Sequence, residues 1–328
     1  EITTAMGLLH FARRGCRAAV VEVGMGGRLD STNAVRPEIS VITPISFDHT
    51  RQLGPTLAAI ASEKAGILKR DGAAIVGARG EEPRAAIRSI AAQRRSQVFW
   101  IDHDFVEHYE PPIPPIDRPT PGHVVVKTWR SLWGPMPLPM LGAHQAQNAA
   151  IALASLDLLA DRGLELSPES VHRGFASLRF PARVEVLGER PWLVIDGAHN
   201  IASAEALAET LRTCFPDVPR TLVFGTTRDK DLAGQLRALL PLFSQVVVTP
   251  YLENPRAVVP EEVAEAVRAI SGREPIMTFD PTFALYQARL ITPPNGLICV
   301  SGSLFLAAEV RASILGTEPF RTLTSVVV

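Results

Sequence analysis

Short apolar segments alternate with amphipathic segments along most of this chain, and this alternation restricts the possible folds more than any other feature. In the first half, the predicted elements are a helix at residues 1–14, strands at 18–23 and 38–46, a helix at 57–68, a strand at 72–77, a helix at 83–95 and a strand at 97–101. Because crossover helices join parallel strands and cover their sheet, this order predicts a doubly wound α/β domain.

The second half repeats the alternation and predicts a second doubly wound domain. Its predicted strands are 192–196, 221–225, 245–249, 276–279 and 297–301, and its predicted helices are 201–215, 232–243, 260–270, 281–290 and 304–315. Between the two alternating series, residues 110–122 carry six prolines in thirteen positions, which argues against a helix or a central strand. We predict a hinge at 179–183 and domains at 1–183 and 184–328.

A Gly-rich turn follows the first predicted strand, in residues 18–33 (AAVVEVGMGGRLDSTN). In open α/β sheets ligands bind beyond the carboxyl ends of strands, where these residues are expected to lie. Glycines there allow a positive φ or a close approach of the backbone to a ligand. A tight turn with a salt-bridged Glu22 is an equally good interpretation of these residues alone.

Composition excludes several classes of protein. The formal net charge of −1 gives no reason to expect nucleic acid or an anionic membrane as a partner. The three cysteines are widely spaced in apolar surroundings, which suggests neither a disulfide framework nor a zinc cluster. No apolar run has membrane-spanning length. The expected location is a reducing cytoplasm.

Two nucleotide-binding fingerprints are absent from these residues. The Gly-rich turn fails the G-x-G-x-x-G pattern because Leu29 occupies the position of the last glycine. The chain also contains no G-x-x-x-x-G-K-[ST] phosphate loop. If the protein uses ATP, we expect that loop to precede Glu1.

Four polar residues are candidates for chemistry because of their positions. Glu22 and His49 follow neighbouring predicted strands, so they could share a divalent cation, although imidazole suits magnesium poorly. Asp196 ends a strand beside a helix N-terminus, which suits a ribose hydroxyl or a phosphate-bound metal. For each, a plain structural hydrogen bond is a competing interpretation, and Lys64 alone is typical of a solvated helix face.

Taken together, the ordered segments resemble the folylpolyglutamate synthase and dihydrofolate synthase branch of the Mur ligase family. The matching segments are 21–33 (VEVGMGGRLDSTN), 46–50 (SFDHT), 63–67 (EKAGI), 145–148 (QAQN), 180–183 (FPAR), 196–200 (DGAHN), 229–231 (DKD) and 301–304 (SGSL). The resemblance implies an α/β protein with two doubly wound domains. These are a Mur-ligase-like central domain, incomplete at its N-terminus and lacking its phosphate loop, and a Rossmann-like C-terminal glutamate ligase domain.

The resemblance also implies roles for single residues. Glu22 and His49 are implied magnesium ligands, and Lys64 is the implied carbamylated lysine, whose new carboxylate would supply oxygen to the metal. The implied ATP-binding residues are Asn148, Arg183 and Asp196, with His199 supporting them at the catalytic site. The implied pterin-binding residues are Glu1, Leu29, Asp30 and Ser31.

The implied activity is an ADP-forming carboxylate–amine ligase. ATP would phosphorylate the carboxyl group of dihydropteroate or a folate, and the amine of L-glutamate would displace phosphate from the acyl phosphate. Domain closure would exclude the water that hydrolyses this intermediate. The family resemblance implies a monomer.

Two departures from the family pattern bear on these expectations. Ala182 replaces a usual glycine, and the expected phosphate loop is missing. If 328 residues are the entire polypeptide, we expect little or no ligase activity. The alternatives are a Mur ligase acting on UDP-muramyl peptides and a non-catalytic fragment that binds folate or nucleotide.

Overall fold

The computed structural model describes residues 1–112 and 121–316. The helices are α1 Ile2–Arg13, α2 Thr50–Leu53, α3 Leu57–Ala65, α4 Glu81–Arg94, α5 Ala143–Asp161, α6 Pro168–Ala176, α7 Ile201–Cys214, α8 Leu232–Leu239, α9 Pro260–Ser271, α10 Pro281–Ile291 and α11 Leu304–Leu315. The strands are β1 Ser40–Ile42, β2 Ala73–Val76, β3 Gln97–Trp100, β4 Val106–Glu110, β5 Gly122–Lys127, β6 Leu132–Leu138, β7 Glu185–Glu189, β8 Trp192–Ile195, β9 Arg220–Phe224, β10 Gln245–Val248, β11 Ile276–Met277 and β12 Leu297–Ser301. Short 3-10 helices cover Ser31–Ala34 and Leu240–Leu242.

The described residues form two compact units. The first comprises Glu1–His108, Val125–Trp133 and Gln147–Ser167. The second comprises Tyr109–Val124, Gly134–Ala146 and Pro168–Val328, as far as these are described. The boundary predicted between residues 183 and 184, and the hinge beside it, stay predictions.

In the first unit, the strands β1, β2 and β3 form a parallel sheet in that order. Apolar residues of β1, β2, α3 and α4 make its core, with Ile42, Ala61 and Ile87 almost fully buried. Thr56 begins α3 by accepting the backbone N–H of Ala59, as a polar residue before a helix usually does. The predicted βαβ order of this part of the chain is therefore confirmed.

The strand predicted at residues 18–23 is wrong. These residues belong to no strand, and Val20 is 99% exposed. They pair with no strand of the described residues. An apolar run is stable as a buried strand only where a neighbouring backbone completes its hydrogen bonds. The apolar composition of residues 18–23 was therefore not sufficient to predict a strand.

In the second unit, six strands form one sheet in the order β11, β10, β9, β12, β8, β7, with β7 antiparallel to β8. Successive residues of the central strands enter different cores. In β9, Leu222 and Phe224 pack on one face and Val223 packs on the other. Because both faces are covered, the central strands are apolar throughout, as the sequence predicted.

Strands β4 and β7 were not predicted, whereas β5 and β6 lie where residues 123–129 and the Gly/Pro-rich residues after them predict a small antiparallel excursion. A third sheet lies within residues 106–138. The strands β4, β5 and β6 form that sheet in this order. Neither β4 nor the antiparallel strand β7 has the continuous apolar run of a central strand. Most of the Pro-rich segment, residues 113–120, lies outside the described residues. None of the helices described is long and apolar enough to cross a membrane.

Candidate functional site

The Gly-rich loop at residues 24–34 is closed by one of its own carboxylates. Oδ2 of Asp30 accepts the backbone N–H groups of Gly24 and Met25, each at 3.1 Å. Oδ1 accepts the N–H of Thr32 at 2.9 Å and its hydroxyl at 2.6 Å. The bond from the Thr32 hydroxyl lowers the pKa of Asp30. Asp30, predicted to bind pterin, therefore shapes the loop from within.

Two glycines allow this loop to pack closely against the end of α3. Gly26 and Gly27 have φ angles of +65° and +151°, which suit a residue without a side chain. A Cβ on Gly27 would lie 2.8 Å from Cγ2 of Ile67 and 3.2 Å from the backbone oxygen of Lys64. The positive φ expected of these glycines is observed, and the loop packs against the end of α3. Their close approach to a ligand stays a prediction.

Arg28 and Asn33 fasten the loop to that helix end. The backbone N–H of Arg28 donates to the carbonyl of Glu63 at 2.9 Å, and its Nε–H donates to both Glu63 carboxylate oxygens. The Asn33 amide donates to the carbonyls of Arg28 and Gly66 at 3.0 and 3.3 Å. Lys69 in turn donates to both oxygens of Asn33 at 2.7 Å. The loop and the end of α3 form one hydrogen-bonded unit.

Lys64 lies in this unit, in the last turn of α3. Its side chain is half-buried, and its amine has no hydrogen bond or ion pair with residues 1–112 or 121–316. The amine is therefore not neutralised by a neighbouring carboxylate of the described chain. Its carbamylation stays a prediction.

The two predicted metal ligands lie outside any strand. Glu22 is exposed, and His49 precedes α2 with φ of +49°. Asp48 accepts the His49 backbone N–H at 2.8 Å, and the same oxygen lies 3.9 Å from Nε2. Among the described residues, no group of three or more His, Cys, Asp or Glu side chains could hold a metal ion. These residues do not assemble a complete magnesium site.

The other predicted pterin residues lie near the start of the chain and on the loop. Ser31 and Thr4 share a hydrogen bond between their hydroxyls at 2.7 Å, so the loop contacts α1. Glu1 is the residue before α1, and Leu29 is 79% exposed. An exposed leucine next to polar groups suits contact with a flat heterocycle.

In the second unit, Arg183 lies at the centre of an unusual backbone segment, residues 182–184, which we call the Arg183 arch. Ala182 and Val184, on either side, are both buried and have φ angles of +54° and +47°. Such angles are rare for residues other than glycine, and most so for a β-branched one. A Cβ on Gly197 would lie 2.8 Å from Nη1 of Arg183. The exposed Arg183 guanidinium therefore extends over Gly197.

Asp196 is hydrogen-bonded both to the Arg183 arch and to the turn that follows β8. Its carboxylate accepts the N–H of Val184 and that of Ala198, each at 2.8 Å. Burial raises the pKa of Asp196, and these backbone bonds together with nearby Arg183 and His199 oppose the rise. The predicted residues Arg183, Asp196 and His199 are therefore brought together where the segment before β7 meets the turn after β8.

His199 and the segment 301–304 lie at the same end of the sheet. Nδ1 of His199 lies 2.9 Å from the carbonyl oxygen of Gly197, which can only accept, so Nδ1 donates this hydrogen bond. Gly302 donates its N–H to Ala198 at 3.0 Å. The matched segments 196–200 and 301–304 are thus adjacent at the carboxyl edge of β8 and β12.

The sequence did not identify His144 as a residue that interacts with Arg183. Burial and then the charge of Arg183 lower its pKa to about 4, so the ring is neutral at pH 7. Its position immediately before the matched segment 145–148 was the available signal. Asn148, the remaining predicted ATP residue, is exposed on α5 in the first unit.

Comparison with known protein families matches both parts of the chain. Residues 1–156 match the Mur ligase middle domain, and residues 182–304 match the Mur ligase glutamate ligase domain. Folylpolyglutamate synthase of Lacticaseibacillus casei is 34% identical over 96% of this chain and 71% of its own length. Dihydrofolate synthase/folylpolyglutamate synthase of Mycobacterium tuberculosis is 36% identical over 85% of this chain, which spans 58% of that protein.

Solved structures agree over both units. Folylpolyglutamate synthase of Mycobacterium tuberculosis complexed with ADP and AMPPCP superposes with a TM-score of 0.87 and 32% identity, covering 97% of this chain and 73% of that one. The bifunctional folylpolyglutamate synthase/dihydrofolate synthase of Yersinia pestis, complexed with AMPPNP and Mn, superposes with a TM-score of 0.75 and 29% identity. The match covers 90% of this chain and 65% of that one. The predicted fold class is confirmed, and the chain belongs to the folylpolyglutamate synthase and dihydrofolate synthase branch of the Mur ligases, a family of carboxylate–amine ligases.

Proposed function

We propose that this protein belongs to an ATP-dependent ligase that adds L-glutamate to dihydropteroate, to folates or to both. The observation that carries the proposal is the TM-score of 0.87 over 97% of the chain with a folylpolyglutamate synthase complexed with ADP and AMPPCP. The two family models likewise span the Gly-rich loop, within residues 1–156, and Arg183, within residues 182–304.

The proposed reaction has two steps. A carboxylate oxygen of the acceptor attacks the γ-phosphorus of ATP, and ADP leaves with the electrons of the broken P–O bond. The amine of glutamate then attacks the acyl carbon, and inorganic phosphate leaves as the amine loses a proton. The acyl phosphate is required because a free carboxylate is a poor electrophile. Water must be excluded while this intermediate exists.

We propose that Arg183, Asp196 and Asn148 bind the nucleotide. The guanidinium of Arg183 is exposed and always charged, which suits a phosphate oxygen. Asp196 is 6% exposed and already accepts two backbone N–H groups, so its main contribution is to hold the arch. We propose that His199 orients the same turn through its bond to Gly197.

For the acceptor, we propose contacts with Glu1, Leu29, Asp30 and Ser31. Leu29 offers an exposed apolar surface for a pterin ring, and Ser31 offers a hydroxyl. Asp30 contributes through the shape of the loop, because its carboxylate already accepts four hydrogen bonds from that loop.

A divalent cation and a carbamylated Lys64 remain part of the proposal. Glu22 and His49 are the two proposed ligands of the cation, and a carbamate on Lys64 would add an oxygen donor. When bound, such a cation would offset the negative charge of the phosphates. The described residues do not complete its site, so no step of the reaction is assigned to it. The cytoplasmic location and the monomeric state stay predictions.

The test is a phosphate-release assay on the intact product of the gene, with ATP, L-glutamate and either dihydropteroate, a folate or a UDP-muramyl acceptor. We expect release with dihydropteroate, with the folate or with both, none with the UDP-muramyl acceptor, and an at least tenfold loss of release in Arg183→Ala. Arg237→Ala is the matched control, because Arg237 is an exposed arginine on α8 of the same unit. Release with the UDP-muramyl acceptor alone would replace this proposal with the peptidoglycan alternative. No release with any acceptor would contradict the ligase assignment.

A further inference from the structure

The Arg183 arch is a strained piece of backbone that other groups must hold in place. Ala182 and Val184 both have a positive φ, and both are 3% exposed. Residues other than glycine remain in this region only where their surroundings impose it, and such positions concentrate at functional sites. The groups that bind the arch therefore decide where Arg183 points.

The peptide groups of Ala182 are held on both sides. Its carbonyl accepts the N–H of Gly197 at 2.9 Å and Nη1 of Arg183 itself at 3.2 Å. Its N–H donates to Oε2 of Glu185 at 2.9 Å. Glu185 is thus bonded to the same residue that accepts from the Arg183 guanidinium.

Glu185 is fixed in turn by a residue that is distant in sequence. Nε of Arg311, on α11, donates to Oε1 and Oε2 of Glu185 at 3.0 and 2.8 Å. The two side chains are only 15% and 18% exposed, so water screens the pair weakly. A shielded carboxylate that contacts both a guanidinium and a backbone N–H has one strongly preferred position.

We propose that the ion pair of Glu185 and Arg311 positions Arg183 for the nucleotide. The chain of contacts runs from Arg311 to Glu185, from Glu185 to the N–H of Ala182, and from the carbonyl of Ala182 to the Arg183 guanidinium. Glu185 and Arg311 are positioning residues, since neither is proposed to touch the substrate. This inference rests on the proposed function, in which Arg183 contacts the nucleotide.

A purely structural pair would join α11 to β7 without affecting Arg183 in particular. A double-mutant cycle separates the two roles. ADP affinity is measured by calorimetry for the intact product of the gene and for its Glu185→Gln, Arg183→Ala and double variants. We expect Glu185→Gln to weaken ADP binding about tenfold, a change of about 1.4 kcal/mol. We expect the double variant to bind no more weakly than Arg183→Ala.

Two results of this cycle overturn the inference: unchanged affinity in Glu185→Gln, or losses that add in the double variant. Arg311→Lys keeps the charge but not the two bonds from Nε, so an intermediate affinity is expected. If Glu185→Gln does not fold, Arg311→Lys takes its place in the cycle.

A second measurement does not depend on nucleotide binding. Phenylglyoxal modifies accessible arginines, and mass spectrometry gives the rate at each one. We expect Glu185→Gln to accelerate modification of Arg183 at least threefold and to leave Arg237 unchanged. An unchanged rate at Arg183 overturns the inference. If the intact product of the gene binds no ADP, or its Arg183→Ala variant binds ADP normally, the proposed role of Arg183 in nucleotide binding fails. The modification rate at Arg183 then decides alone whether Glu185 positions Arg183.

Discussion

The Nε–H of Arg28 donates to both carboxylate oxygens of Glu63, at 3.1 and 3.2 Å. The backbone N–H of Arg28 also donates to the carbonyl of Glu63 at 2.9 Å. This double contact joins the Gly-rich loop to the residue before Lys64. The loop and Lys64, which are far apart in sequence, therefore have a fixed relation within the first unit.

Replacing Gly66 with alanine should separate the loop from α3. The new Cβ would lie 2.3 Å from Cβ and 2.6 Å from Cα of Arg28, so backbone must move. We expect Gly66→Ala to destabilise the protein by about 1–3 kcal/mol, measured by urea unfolding. The control is Gly174→Ala in α6, where nothing lies within 4 Å and alanine should stabilise the helix by up to about 1 kcal/mol. Equal effects at both glycines would contradict this close contact.

Asp157 should be far more important for stability than Asp161, one turn further along α5. Asp157 is 2% exposed and accepts hydrogen bonds from Thr128, Ser131 and Trp133. Asp157→Ala leaves these donors without their acceptor and should cost about 3 kcal/mol. The Asp161 side chain is 37% exposed, and its loss should cost less than about 1 kcal/mol. Urea unfolding of the two variants checks this, and similar costs would show that the buried cluster contributes little.

The half-buried His144 should make the free energy of unfolding fall as pH falls from about 6.5 to 4. Burial lowers its pKa from 6.5 to about 4 in the folded protein. Between these values the unfolded chain binds a proton that the folded chain does not, so acid favours unfolding. The loss should reach about 3 kcal/mol at pH 4.

His144→Gln is the comparison for this pH effect, because glutamine does not titrate. Urea unfolding at pH 7, 6, 5 and 4 should show a smaller fall in stability for the variant. Parallel curves for the two proteins would rule out His144 as the source.

Glycine should be tolerated better at position 182 than at other buried alanines. Ala182 has φ of +54°, where an L-residue is disfavoured by about 1–2 kcal/mol, and relief of this strain offsets the lost methyl group. We expect Ala182→Gly to change stability by less than about 0.5 kcal/mol. Ala208→Gly, at a 2% exposed position in α7, should cost about 1–2 kcal/mol. Equal costs in thermal or urea unfolding would mean that Ala182 is not strained.

Much of the fold could be predicted because its signals are local. The central strands of the second unit are continuous apolar runs, and β8, β9, β10 and β12 lie within a residue of their predicted positions. Helix starts carry polar caps, such as Asn200 before α7 and Asp280 before α10. The edge strand β7 has no such run, and it was missed.

The candidate site was predictable only in part. Arg183, Asp196 and His199 were named from sequence, and two segments of the second unit, one before β7 and one after β8, bring them together. His144 was missed because its low pKa depends on burial and on Arg183, neither of which the sequence displays. The roles of these residues in binding stay predictions until the variants are measured.

The sequence by itself determined the α/β class, the order of most elements and the family, because periodicity, caps and ordered motifs are properties of neighbouring residues. Only the tertiary structure decided that residues 18–23 form no strand, that Arg28 meets Glu63 and that Glu185 meets Arg311. Each of these depends on which groups from distant parts of the chain satisfy a backbone N–H or a charge. Such pairing is fixed by packing in three dimensions and leaves no local pattern in the sequence.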